Sequence, residues 1–444
     1  MRIVLASLIA ATAFFAAARA DASPEDIFGY GGRTSAMGAT GTAHATGYEA
    51  AWHNPALASP TVGIDAKYKL TVGYHAGVFR LDADGAGLPG RVPSDASKGF
   101  VIGAELPLPF GGFLKDRLGA SFGFYTPSDI IVRGRVLYPE RTQFPILPDR
   151  AQSLMVRGVL GVNVGWGIKV GVGFATLAEI VGTVVAATDA TGRVGTRVED
   201  QLVATYAPML GITYDLPESW DTKLRLGLTY RGTLDARFAV IVDGTKLSSL
   251  QIPLLNISGL AQYDPAQLAF EAARIDKKAK NTLALQLVYK QWSNFPGVLE
   301  PTIVCSEGGA GACGIVPATI PWADTFVIRA GAEQGFEIAK GATLHARAGA
   351  FFETSPLPSE VPANEAFSKA ANGTVPVPTR YFDSDRIAFS AGPGLSLSDP
   401  LPPIDLDLWA QYHVLLPRTI TSNDQEGKSS GYITAFGITG GVKF

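Results

Sequence analysis

Leu224, Leu226, Leu228 and Tyr230 alternate with Lys223, Arg225, Thr229 and Arg231, which puts an oily row and a wet row on opposite faces of one strand. The rhythm recurs. Leu118, Ala120, Phe122 and Phe124 share a face, and Ile168, Val170, Val172 and Phe174 stand opposite Lys169, Gly171 and Gly173. Leu283, Leu285, Leu287 and Tyr289 stand against Gln286 and Lys290, and Phe326, Ile328 and Ala330 against Arg329, Gly331 and Glu333. Near the end, Ile404, Leu406, Leu408, Ala410 and Tyr412 alternate with Asp405, Asp407, Gln411 and His413, a polar set that hydrocarbon rejects. Those polar side chains must face an interior. A closed sheet meets both demands, because it satisfies every backbone group in lipid without a spanning helix.

The alternation predicts an all-β fold, a transmembrane antiparallel β-barrel. Its strands are expected near 61–80, 97–107, 117–136, 151–164, 166–178, 201–215, 222–242, 259–274, 281–296, 324–336, 341–353, 385–398, 404–417 and 431–444, about fourteen in all. Short connections such as 217–221 and 339–341 join some neighbours, and long ones such as 243–260 and 354–383 join others. Short turns at one end and long loops at the other is the asymmetry of outer-membrane barrels. A soluble β-sandwich also alternates, but its strands are typically ~5 to 6 residues long, and several here run past ten.

Met1-Arg2-Ile3, an apolar stretch through Ala17 and then Ala18-Arg19-Ala20 read as a signal peptide, residues 1–20, cleaved after Ala20. The domain organisation expected is that signal, an N-terminal segment 21–60 and a barrel 61–444. No later run approaches the ~20 apolar residues that a membrane helix needs. The chain of 444 residues is 47% hydrophobic and only 17% charged, with formal net charge -3, so no basic surface argues for nucleic acid. Fifty Gly and 29 Pro suit a turn-rich all-β chain. Cys305 and Cys313 sit in a Gly-rich segment, and in an exported protein the pair is expected to close a loop as a disulfide.

Segment 21–60 lacks sustained alternation and holds Gly29-Tyr30-Gly31-Gly32 and Trp52-His53-Asn54-Pro55-Ala56-Leu57. It reads as a disordered arm or, given Ile27, Phe28, Tyr30, Met37, Tyr48, Trp52 and Leu57, as an element tucked inside something larger. Asn54 and Pro55 suit a helix or turn start.

Four stretches resemble the FadL-type outer-membrane transporters of long-chain fatty acids and aromatic hydrocarbons. Gly38-Ala39-Thr40-Gly41 followed by Asn54-Pro55-Ala56 is similar to the family's hatch. Tyr289-Lys290-Gln291-Trp292-Ser293-Asn294-Phe295 resembles its Trp-Ser-x-Phe strand end. The run from Ala348 to Pro358 resembles its Asp-x-Ser-Pro-x-Pro loop, with Glu353 and Thr354 where that pattern usually has acids. Asp383-Ser384-Asp385-Arg386 with Phe389-Ser390-Ala391-Gly392 resembles the opening of the twelfth strand, and the chain ends on Phe444. The loops 243–260 and 305–313 match nothing in the family. The resemblance implies fourteen strands, a hatch of short helices in the lumen, an apolar ligand bound first at an outer groove and then passed to a luminal pocket, and sideways exit through an opening at a kink in the third strand.

On this reading Gly31, Gly32, Asn54, Pro55 and Ala56 belong to the hatch. Thr126, Pro127, Ser128 and Asp129 mark the side opening, because proline cannot donate to a sheet and is confined to edges or bulges; an ordinary strand end at the rim fits as well. Arg225, Arg329 and Arg347 are candidates for a ligand carboxylate, or for ion pairs with Asp405, Asp407 and Glu333. Leu250, Leu254 and Leu255 suggest an apolar landing surface on a long loop.

No catalytic constellation appears. The five histidines show no metal-triad spacing, and no Gly-x-Ser-x-Gly elbow is present, so neither metal nor cofactor is expected. The partners expected are a hydrophobic small molecule and outer-membrane lipid, with the barrel monomeric. A FadL-like barrel that serves as a docking platform for secreted proteins is the alternative. A hydrophilic porin is a third, which a hatch argues against.

Overall fold

A computed structural model describes residues 24–60, 68–128, 141–147, 154–188, 194–217, 222–246, 255–276, 278–297, 315–368 and 373–444. Fourteen strands form a closed antiparallel barrel: β1 (Lys69–Gly85), β2 (Ser97–Pro107), β3 (Leu118–Pro127), β4 (Met155–Gly165), β5 (Ile168–Thr188), β6 (Val194–Asp215) and β7 (Thr222–Arg231), then β8 (Gln267–Asp276), β9 (Asn281–Lys290), β10 (Thr325–Ala339), β11 (Ala342–Glu353), β12 (Arg386–Leu397), β13 (Ile404–Ser422) and β14 (Gln425–Lys443). The ring closes where β14 pairs with β1, from Lys69 opposite Lys443 to Gly85 opposite Gly427.

The two-residue rhythm is visible in burial. On β9, Leu285 is 60% exposed on the outer face while neighbouring Gln286 is 2% exposed toward the lumen. Phe326 and Ile328 on β10 face out, and Arg329 and Glu333 face in. An apolar exterior around a polar-walled lumen is the arrangement lipid demands. Trp166 sits in the turn between β4 and β5, and Tyr68 stacks on Phe444 at 6.1 Å, which places aromatics at the short-turn end.

Short turns, including 166–167 and 340–341, lie at one end and long connections at the other. A tight turn at the long-loop end joins β13 to β14 through Asn423 and Asp424, with φ of 48° and 58°. Both take the left-handed conformation that a two-residue hairpin turn requires and that Asn and Asp tolerate.

Several boundaries differ from the sequence expectation. The segments expected at 222–242 and 259–274 each divide: β7 ends at Arg231 and β8 begins at Gln267, while Leu234–Lys246 and Leu255–Asp264 form a separate hairpin. Alternation runs on past Gly232, so periodicity alone does not show that the chain leaves the wall there. The first hairpin strand lies parallel to the upper part of β5, Ile180 opposite Phe238, just beyond the last β4 pair at Leu177. Strands β5, β6, β13 and β14 are longer than expected, and β9 stops at Lys290, where a 3-10 turn Trp292–Asn294 follows. A three-stranded sheet of Ile315–Val316, Asn364–Ser368 and Gly373–Val377 lies outside the barrel wall.

Residues 24–60 sit inside the barrel, as α1 (Pro24–Phe28), α2 (Gly32–Ala36), α3 (Ala50–His53) and 3-10 turns Gly47–Glu49 and Pro55–Ala58. Nearly all of them are buried.

Candidate functional site

The lumen divides into a stopper, an apolar chamber above it, a wall seam and a polar vestibule below. The stopper is fastened by polar side chains of the wall. The carboxylate of Glu271, on β8, accepts the backbone N–H groups of Gly41, Thr42 and Ala43 at 2.7, 2.9 and 3.0 Å and contacts His44 Nδ1 at 2.7 Å. A charged acceptor with several donors is among the strongest hydrogen-bonded arrangements a protein buries. Arg33 donates to Glu333 at 2.8 and 2.9 Å; Glu333 is shared with Arg347, which also reaches Asp407. At the top of the stopper Lys290 Nζ bridges Asp26 at 3.0 Å and Glu353 at 2.6 Å, and Arg386 pairs with Glu353. Arg157 reaches Glu25 at 3.3 Å and lies 4.2 Å from the Trp52 ring, which Arg231 approaches at 4.0 Å from its own side. Trp52 thus sits among guanidinium groups, a favourable cation–π arrangement when desolvated.

Glycines give the stopper room. A Cβ at Gly171 would stand 2.2 Å from the Pro55 carbonyl carbon, one at Gly211 2.0 Å from Asn54 Oδ1, and one at Gly331 2.4 Å from Met37 O. Stopper backbone at Pro55 and Met37, and the Asn54 side chain, therefore touch the wall at positions where any side chain collides.

The residues singled out from sequence take the following places. Asn54 Oδ1 accepts from Ala56 N at 3.0 Å, and its Nδ2 donates to Thr42 O at 2.7 Å and to Ile212 O, on β6, at 3.2 Å. Pro55 starts the 3-10 turn that Asn54 caps. Gly31 has φ of 109°, and its lack of a side chain admits Glu49, whose carboxylate accepts from the N–H groups of Arg33 and Thr34. Arg225 pairs with Asp215 and donates to Ala43 O at 3.3 Å; Arg329 donates to Ala39 O at 2.9 Å. The structure thus brings Arg225 and Arg329 to the stopper's carbonyls, and Arg347 to Glu333 and Asp407. Asp129, Leu250, Leu254, Cys305 and Cys313 lie outside the described residues, and of Leu255 only the backbone is described.

At the seam, β3 pairs with β2 up to Pro127 opposite Gly99, and Ser128 N donates to Lys98 O at 3.2 Å. Among the described residues its ladder to β4 ends earlier, at Tyr125 opposite Met155, with Thr126 and Pro127 beyond that pair. Behind the seam Tyr30, Tyr48, Trp52, Tyr125, Met155 and Met209 pack in one apolar cluster. Below the stopper, a polar cavity of about 400 Å³ is lined by Arg33, Glu49, Lys69, Glu105, Asp405 and Lys443 among others. Above it, Tyr263, Trp292, Phe295, Trp322, Leu357 and Phe382 belong to an apolar cluster that reaches down to Ile27 and Phe28.

Glu271, Arg33 and Glu49 are absent from the sequence reading. Glu271 did carry a signal: a carboxylate among Ala269 and Ala273 on one face of a strand needs a donor, and the lumen must supply it.

No protein-family model matches the chain, and no curated protein is similar to it. Solved structures do match. A Pseudomonas aeruginosa FadL homologue is similar over 97% of this chain and 99% of its own, with TM-score 0.58 and 14% identity. The toluene transporter TodX of P. putida is similar over 94% of this chain and 99% of its own, with TM-score 0.52 and 13% identity. The chain has the FadL-type fold.

Proposed function

We propose that this chain is an outer-membrane transporter of the FadL type, which takes up apolar molecules passively and releases them sideways into the bilayer. Residues 1–20 act as the signal peptide, 21–60 as the hatch and 61–444 as the barrel. The observation that carries this reading is the division of the lumen. Aromatic and aliphatic side chains line its upper part, and buried ion pairs with a polar vestibule close its lower part. A molecule that gains by leaving water for the upper lumen meets charged groups if it continues straight down. Entering hydrocarbon instead yields ~25 cal/mol per Å² of apolar surface. The β3–β4 seam at Tyr125 and Met155, backed by apolar side chains, is the exit we assign. The fold's neighbours, a FadL homologue and a toluene transporter, support the same class of cargo.

Uptake of labelled oleate and labelled toluene by cells that lack their own such barrels tests this. Expression of the chain should accelerate one or both, and Pro127→Thr, which restores an N–H donor at the seam, should slow release severalfold. No acceleration of either compound refutes the proposal.

One observation favours the docking alternative. The apolar chamber is filled rather than open, with a residual void of only about 20 Å³ beside Trp292. Transport requires that the filling can leave.

A further inference from the structure

The filling is the chain's own. Phe144, Ile146 and Leu147, from the connection between β3 and β4, are 0%, 7% and 4% exposed and pack within the chamber's apolar cluster. The chamber is aromatic: the Tyr263 ring lies 5.9 Å from Trp292 and 5.0 Å from Phe295, and Phe295 lies 4.9 Å from Trp322. Phe144 meets Phe382 at 6.2 Å, and Ile146 and Leu147 face Trp292 and Pro356 on the apolar side of a small void whose other side is Glu353, Thr354, Asp383, Ser384 and Arg386. The backbone is tied to the opposite loop by a short parallel bridge: Gln143 N donates to Arg380 O at 3.0 Å, and Phe382 N donates to Gln143 O at 2.9 Å.

Phe144-Pro145-Ile146-Leu147 carries no charge and offers a ring and branched hydrocarbon, and its side chains together hold about as many carbons as a long acyl chain. It has the surface chemistry of an apolar ligand. Its tie differs from that of the hatch, because apolar contact is non-directional and another hydrocarbon of similar size can replace it.

The family resemblance already implies a luminal pocket for an acyl or aromatic hydrocarbon; we propose that residues 143–147, packed among Tyr263, Trp292, Phe295, Trp322 and Phe382, are the resident competitor in that pocket. The ligand binds by displacing them. This deepens the transport reading and rests on it. A tethered occupant lowers the apparent affinity of a free ligand by the fraction of time the site stands open, so the segment sets the threshold concentration for loading.

Equilibrium binding of labelled toluene and labelled laurate to the full chain in lipid nanodiscs, with empty nanodiscs subtracted, tests the proposal. Gln143→Pro removes the N–H donor to Arg380 and leaves the apolar residues in place. The triple change Phe144→Ser, Ile146→Ser, Leu147→Ser removes the filling. Each should bind at least one probe about tenfold more tightly than the parent, because the competing state is depopulated. Trp292→Ala should weaken binding in both backgrounds, which ties the gain to this chamber. Retained heat-modifiable migration on gels confirms that a variant is folded. Parent and variants binding with equal affinity overturns the competitor and leaves transport standing, as does weaker binding by both loosened variants, which would make the segment part of the ligand's own site. No binding to any form overturns both readings.

Discussion

Two segments occupy the same lumen by opposite means. Residues 24–60 are held by Glu271, by the chain of charges Arg33–Glu333–Arg347–Asp407 and by Lys290 between Asp26 and Glu353. Residues 143–147 are packed against rings, and Gln143 N and O are hydrogen-bonded to Arg380 and Phe382. Removing one partner of a buried charged group strands the other at a penalty of ~3 to 5 kcal/mol, so a polar fastening is specific and resists gradual loosening. Apolar packing is proportional to area and indifferent to partner. The lower occupant is built to stay and the upper one to exchange.

The sharpest way to break that comparison is Glu271→Ala. It leaves three hatch N–H groups and His44 without their acceptor and is expected to unseat residues 41–44 at a cost of ~3 to 5 kcal/mol. Planar-bilayer conductance should rise from near silence to frequent openings; unchanged conductance would mean that the hatch is held some other way. Gly331→Leu comes next. Its side chain would enter the space of Met37 O, and overpacking of this kind destabilises by ~1 to 3 kcal/mol, read as a lower temperature of the heat-modifiable gel transition.

Trp322→Ala sharpens the upper half. It removes a ring that Phe295 contacts at 4.9 Å and should slow uptake of an apolar compound severalfold while polar solutes stay excluded. A leak of polar solutes in this variant would show that the chamber itself closes the bore.

The smallest effect concerns pH. Burial pushes the Asp383 carboxyl, in the loop before β12, up to about 7. A folded value above the unfolded one of ~3.9 means that the loop's stability is fully present below pH ~4 and declines as pH rises through about 7. Protection factors of residues 379–385, hydrogen-exchange rates divided into the base-catalysed intrinsic rate at each pH, should therefore be larger at pH 5 than at pH 8. Asp383→Asn should remove the difference.

Much of the wall was legible because its constraint is local. Lipid outside and polar groups inside impose a period of two on every strand, and Leu285 beside Gln286 shows it within one residue step. The break at Gly232 was not legible, since Leu234–Lys246 keeps alternating after it leaves the barrel. At the site, the inward faces of Arg225, Arg329 and Arg347 could be read, but their partners could not: Arg329 meets Ala39 across 290 positions of sequence, and Glu271 meets Gly41 across 230. The glycines Gly171 and Gly331 were visible at inward positions, and a row of inward glycines is itself a sign that another backbone comes close. Phe144-Pro145-Ile146-Leu147 carried a signal too, an uncharged apolar run inside a long connection, which has no reason to face water.

The most direct test follows where an apolar molecule goes. Proteoliposomes with the long loops outward and a water-soluble quencher sealed inside receive a fluorescent apolar probe from outside, and its arrival in bilayer and interior is timed. A lumen that is apolar above and closed by charge below should speed arrival in the bilayer while early quenching by the interior stays at the rate of protein-free vesicles. Quenching that rises in step with arrival would mean that the probe passes straight through the barrel, and would contradict the account.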